Sequence, residues 1–109
     1  MAPLAPPASV PNMDQMNENA VAAARFLKTL GHEGRLMILC HLVPGERSVT
    51  DLEALTDLRQ AAVSQHLSRL RDDGLVAFRR DGKTIYYHLA DPRARQMLEL
   101  LYGMFCDNG

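Results

Sequence analysis

Between Gln60 and Leu89 the hydrophobic pattern changes period twice, and that switch constrains the fold more than any other feature of the chain. Val63, Leu67 and Leu70 recur at helical spacing as far as Gly74. Val76 and Phe78 then alternate with Ala77 and Arg79, and after Arg80-Asp81-Gly82-Lys83 the residues Ile85, Tyr87 and Leu89 alternate back. Asp-Gly between two alternating runs marks a tight hairpin, because both central residues of such a turn take φ > 0. The segment predicts a helix capped by Gly74 and followed at once by a β-hairpin.

Upstream, Met16, Ala20, Ala23, Leu27 and Leu30 recur at helical spacing, with Asn12 and Gln15 as a cap pair and Gly31 beyond the end. A second helix, Glu33 to Val43, places Leu36, Leu39, Cys40 and Val43 on one stripe and stops at Pro44-Gly45. Two short helices follow, opened by the pairs Thr50/Glu53 and Asp57/Gln60. After the hairpin, Asp91 caps and Pro92 begins a last helix marked by Met97, Leu98, Leu101, Tyr102, Phe105 and Cys106. Residues 1–11 hold four of the six prolines and no charge, which predicts a disordered arm ahead of one domain over 12–109. The expected fold is mainly α with a small β-hairpin, in the order helix, helix, helix-turn-helix, hairpin, helix.

The chain has 109 residues, 47% of them hydrophobic, enough for one core. Apolar stretches of four to six residues fall far short of the ~20 that cross a bilayer, and the first residues lack a secretory signal, so the chain reads as cytoplasmic and membrane-free. Its net charge of −1 hides an asymmetry. Arg59 to Lys83 carry six basic and three acidic side chains, whereas the remainder carries six and ten. On the helix from Gln60, the residues Ala61, Ser64, Gln65 and Ser68 form a small, polar face opposite the apolar one. Such a face suits entry into a duplex groove about 12 Å wide, with arginines and lysines on phosphate. Helix and charge alone leave a solvated amphipathic helix with an ordinary hairpin as an equal alternative.

The run from Ala62 to Val76 (Ala62-Val63-Ser64-Gln65-His66-Leu67-Ser68-Arg69-Leu70-Arg71-Asp72-Asp73-Gly74-Leu75-Val76) continues through Arg79-Arg80-Asp81-Gly82-Lys83 and Tyr86-Tyr87-His88-Leu89. Together they resemble the recognition helix and wing of the ArsR/SmtB family of winged helix-turn-helix repressors. Leu30-Gly31-His32-Glu33-Gly34-Arg35-Leu36 is similar to that family's second helix, so the resemblance covers roughly residues 20–106. It implies a homodimer through the first and last helices, double-stranded operator DNA with half-sites about one helical turn apart, and repression relieved by an inducer. The DNA contacts nominated on this basis are Ser64, Gln65, Ser68 and Arg69 on the helix, Thr50 and Gln60 at helix starts, and Arg80 and Lys83 on the wing.

Metal-sensing members carry Cys-x-Cys at the third helix or Asp and His ligands on the last one. Here the third-helix region reads Ser48-Val49-Thr50-Asp51-Leu52 and the last helix has no histidine, so no metal and no cofactor is expected. The two cysteines, Cys40 in the second helix and Cys106 at the end of the last, resemble instead the sulfide-responsive branch of the family, the SqrR, BigR and HlyU type. That resemblance implies a redox-sensing pair in which persulfides, reactive sulfur species acting as inducer, build a polysulfide bridge. A peroxide sensor using an ordinary disulfide is the nearest alternative, with a metal or metalloid sensor behind it. On the residues alone Cys40 lies on the apolar stripe and reads as a packing thiol. An enzyme is not expected: a small thiol oxidoreductase would need Cys-x-x-Cys or a cysteine at a helix start, and the chain has neither.

Overall fold

Over residues 13–106, which the computed structural model describes, the chain forms α1 (Met13–Leu30), α2 (Glu33–Leu42), β1 (Arg47–Ser48), α3 (Val49–Thr56), α4 (Gln60–Asp72), β2 (Val76–Asp81), β3 (Thr84–Leu89) and α5 (Pro92–Phe105). The expected arm over 1–11 and the Asn12 cap lie outside the described residues. No helix among the described residues is long and apolar enough to cross a membrane.

The core gathers where α2, α3, α4, the sheet and α5 meet. Ile38, Leu39 and Leu42 of α2, Leu52 of α3, Val63, Leu67 and Leu70 of α4, Leu75, and Ala94 and Leu98 of α5 are all buried. Each large aliphatic side chain so buried contributes about 1.5–3 kcal/mol. The stripe on α4 is the one that the sequence predicts. On α2 it is not, because Cys40 is exposed while Ile38 is fully buried. Leu36 to Cys40 are five apolar residues in a row, so a helix apolar on every side offers no periodicity from which to choose its buried face.

Turn chemistry follows the chain closely downstream of α4. Gly74 takes φ +77 and Gly82 takes φ +62, both in the left-handed region that glycine enters freely. The pairing runs from Val76↔Leu89 to Asp81↔Thr84, so the expected Asp81-Gly82 turn is corrected by one residue: Asp81 closes the ladder, Gly82-Lys83 is the connection, and of these three only Gly82 has positive φ. Asp91 accepts from the Arg93 backbone N–H at 2.9 Å, and Pro92 occupies the first turn of α5.

The two expected capping pairs are corrected. The box that opens α3 is Ser48 with Asp51: the Asp51 N–H donates to Ser48 Oγ at 3.0 Å and the Ser48 N–H donates to Asp51 Oδ2 at 3.2 Å. Thr50 therefore sits inside the first turn. Asp57 does not open α4 but closes α3, in a left-handed conformation (φ 59, ψ 24), and Arg59 precedes α4 with no side-chain cap. An Asx side chain tolerates the left-handed region better than most, which suits it to either end.

The hairpin belongs to a three-stranded antiparallel sheet of order β1-β3-β2. Two residues suffice for β1, which pairs Arg47 with Tyr87 and Ser48 with Tyr86. Ser48 thus ends a strand and caps a helix at once.

At the other end of the molecule, Arg35 of α2 donates to the carbonyls of Thr29 (2.7 Å) and Lys28 (3.3 Å), closing the C-terminus of α1. Thr29 and Leu30 are buried, but the described side chains from Met13 to Arg25 are exposed. Most of α1 therefore has no cover within one protomer.

Candidate functional site

The helix-turn-helix and the wing enclose a groove of about 310 Å³ lined by Ser48, Val49, Thr50, Gln60, Ser64, Lys83, Thr84 and Ile85. Four of the nominated contacts, Thr50, Gln60, Ser64 and Lys83, converge there from three separate elements. Gln65 and Ser68 are exposed further along α4, and Arg80 is exposed on β2. Both α3 and α4 begin at this groove, so their first backbone N–H groups add positive potential to it.

The arginines near the wing divide by partner. Arg79 donates to both carboxylate oxygens of Glu46 (2.9 and 2.5 Å) and lies over the Tyr86 ring at 4.7 Å. Arg71 lies over Phe78 at 5.3 Å. Arg80 and Lys83 make no ion pair among the described residues. Arg69 turns back along its own helix and donates from Nε to Asp73 Oδ2 at 3.1 Å.

Asp73, which sequence reasoning did not single out, ties α4 to α1. At the last turn of α4, with only 6% of its side chain exposed, it also accepts from Arg25 (2.7 and 3.2 Å) and from the buried hydroxyl of Thr29. The Thr29 hydrogen bond, with help from Arg25 and Arg69, holds its carboxyl down at about 2 against the opposing effect of burial. A carboxylate at a helix C-terminus faces the wrong end of the dipole, and that was the available signal. His66 lies on the flank of α4, half-buried at the border of its core side. Its ring lies 4.6 Å from that of His32, which caps α2 by accepting from the Gly34 N–H. Burial, then His32 and Arg35, push the His66 imidazole below its ordinary value.

The second constellation is the seam between α2 and α5. Cys40 and Cys106 both line a groove of about 280 Å³ whose other walls are Leu36, Met37, Leu98, Leu101, Tyr102 and Phe105. Both thiols are free and exposed. The apolar surroundings, and then the neighbouring charge of Cys106, push the Cys40 thiol up. Among the described residues, no histidine, lysine, arginine or carboxylate lines this groove.

Residues 32–77, which contain α2, the helix-turn-helix and the first residues of the wing, match the family described as bacterial regulatory protein, arsR family. The biofilm growth-associated repressor of Agrobacterium fabrum is 47% identical over 91 residues, covering 84% of this chain and 78% of that protein. The chain belongs to the arsR family. The transcriptional activator HlyU of Vibrio cholerae is 41% identical to this ArsR-family chain over 95 residues, covering 87% of it and 88% of HlyU. Among solved structures, the transcriptional repressor BigR from Xylella fastidiosa superposes with a TM-score of 0.81 at 41% identity, covering 90% of this chain and all of that one. A homodimeric winged helix-turn-helix DNA-binding domain from Mycobacterium bovis superposes with a TM-score of 0.74 at 30% identity, covering 85% and 86%. The fold is thus a winged helix-turn-helix, and the ArsR-family chain is a DNA-binding regulator of transcription. Its relatives are named as regulators rather than enzymes, in line with the sequence expectation.

Proposed function

We propose that this chain is a dimeric repressor that binds operator DNA and releases it when Cys40 and Cys106 react with sulfane sulfur. The carrying observation is the seam itself: two thiols, distant in sequence, line one apolar groove between α2 and α5. The dimer is proposed to form through α1 and α5. Val21 of α1 is 73% exposed and Phe105 of α5 is 79% exposed, with Leu27, Leu100 and Met104 also open, and apolar faces of this kind call for a partner. In that dimer the α4 helices enter successive major grooves. Ser64, Gln65 and Ser68 face base edges, Thr50 and Gln60 meet phosphate, and Arg80 and Lys83 reach backbone from the wing, while Arg69, tied back to Asp73, leaves the nominated contact set.

The chemistry proceeds by sulfur transfer. One cysteine thiolate attacks the outer sulfur of a persulfide RSSH, gaining that sulfur and releasing RSH. The new persulfide takes a second sulfur from another RSSH in the same way. The other cysteine then attacks the middle sulfur of the chain and expels hydrogen sulfide, which leaves a trisulfide. In sum, two thiols and two RSSH give one trisulfide, two RSH and one hydrogen sulfide. A disulfide requires Cα atoms within roughly 4.4–6.8 Å, and one more sulfur lengthens that reach. Bridging ties α2, and so the helix-turn-helix, to the interface helix α5. DNA affinity then falls by the difference in binding between the free and bridged states.

The test treats the reduced protein with glutathione persulfide and, separately, with hydrogen peroxide. Intact mass and affinity for a duplex selected from a random pool are then measured. Persulfide is expected to add one sulfur less two hydrogens and to abolish tight binding, and neither Cys40→Ser nor Cys106→Ser is expected to respond. Equal release by peroxide with loss of two hydrogens only would replace this reading with an ordinary disulfide switch.

A further inference from the structure

Asp73 does more than end its helix. It places a nearly buried carboxylate at the negative end of α4, and the helix does not need it to stop. Termination is already secured by Gly74, whose N–H donates to the Arg71 carbonyl at 2.9 Å, and by Leu75, whose N–H donates to the Leu70 carbonyl at 2.9 Å. What the carboxylate does instead is join two helices. Oδ1 accepts both nitrogens of Arg25, and Oδ2 accepts Thr29 of α1 and Arg69 of α4.

We propose that Asp73 is the positioning residue through which α1 sets the tilt of α4 against DNA. The proposal rests on α4 being the reading helix, as given above. Leverage follows from where the pin lies. Asp73 stands at the C-terminal end of α4, whereas Gln60 and Ser64 line the DNA-facing groove at its N-terminal end. A helix of 13 residues is about 20 Å long, so a tilt of about 10° about the pin moves its far end by about 3 Å. That displacement exceeds what a base-edge hydrogen bond tolerates. Because α1 also carries an exposed apolar face for a second protomer, Asp73 connects the scaffold that spaces the two reading helices to the helices themselves. Removing the carboxylate leaves each α4 folded by Val63, Leu67 and Leu70 but frees its angle relative to the pair.

The test uses wild type, Asp73→Asn and Arg25→Ala as full-length reduced protein. Each is measured against a duplex that wild type selects from a random pool, against the same duplex with one base pair added or removed between half-sites, and against a single half-site. Asp73→Asn is expected to lose roughly tenfold or more on the selected duplex, to change little on the half-site, and to discriminate less against altered spacing. Arg25→Ala, at an exposed position that leaves Thr29 and Arg69 in place, is expected to shift the same way by less. Wild-type discrimination in both variants, or equal losses on full and half sites, would overturn the proposal. Should Asp73→Asn fail to give a folded dimer by circular dichroism and sedimentation, Arg25→Ala decides alone. If wild type selects no two-fold symmetric duplex, the assignment of α4 as reader fails and takes this proposal with it; if wild type selects one and spacing still does not matter to the variants, only the proposal fails.

Discussion

Acid titration of Asp73 gives a stability change whose size can be worked out beforehand. Its carboxyl sits at about 2 in the fold against an ordinary 3.8, because the Thr29 hydroxyl, Arg25 and Arg69 stabilise the ionised form more than burial disfavours it. At ~1.36 kcal/mol per pH unit, the gap corresponds to about 2 kcal/mol of folding free energy. The folded value lies below the unfolded one, so this contribution is complete above pH 3.8 and is lost as pH falls from 3.8 toward 2. About half of it remains at pH ~3. Asp73→Asn keeps the shape and removes the charge, so urea titrations of wild type and variant are expected to differ by about 2 kcal/mol at pH ~7, and by about 1 kcal/mol at pH ~3. Domains of this size hold about 5–15 kcal/mol in total, so the variant remains folded at neutral pH. Coincident curves at neutral pH, or a difference that does not shrink on acidification, would refute the reasoning.

Three further outcomes are expected. The His66 imidazole is pushed below its ordinary 6.5, by burial first and then by His32 and Arg35, so the neutral ring is the form the fold favours. Stability is therefore full above pH 6.5 and declines below it; His66→Gln should flatten the melting temperature between about pH 7 and pH 5, and an unchanged slope would contradict this. Leu27→Asp, on the exposed face of α1, is expected to shift the sedimentation coefficient from dimer to monomer, and a dimer of wild-type stability would show that α1 is not at the interface. Lys83→Ala on the wing is expected to weaken binding similarly across DNA sequences and to reduce the slope of log affinity against log salt by about 1; an unchanged slope would place Lys83 away from phosphate.

The order of elements was legible because α4 and the wing carry strong local signals: a clean apolar stripe, a glycine in the left-handed region, and Asp-Gly between alternating runs. Of the eight residues nominated for DNA contact, four, Thr50, Gln60, Ser64 and Lys83, meet at one groove although they come from different elements. Local pattern failed where two solutions were chemically equivalent. Thr50/Glu53 and Ser48/Asp51 are both plausible boxes, and only the pairing of Ser48 in β1 selects the second. The inward reading of Cys40 fails because α2 is apolar on all sides, so tertiary packing rather than periodicity chooses its face. Asp73 signals itself only as a carboxylate at the unfavourable end of a helix, and what it binds was out of reach for a different reason. Its partners on α1 lie 44 and 48 residues away, beyond the reach of any helical or strand period.

The double duty of Ser48 has a consequence for recognition. One residue closes the strand that holds the wing through Tyr86 and also nucleates α3, so wing and helix-turn-helix share an anchor. Their relative placement is therefore built into the fold, which would lower the ordering cost of the proposed DNA complex. A serine two residues from the proposed phosphate contact Thr50 thereby fixes how wing and helix-turn-helix stand to each other.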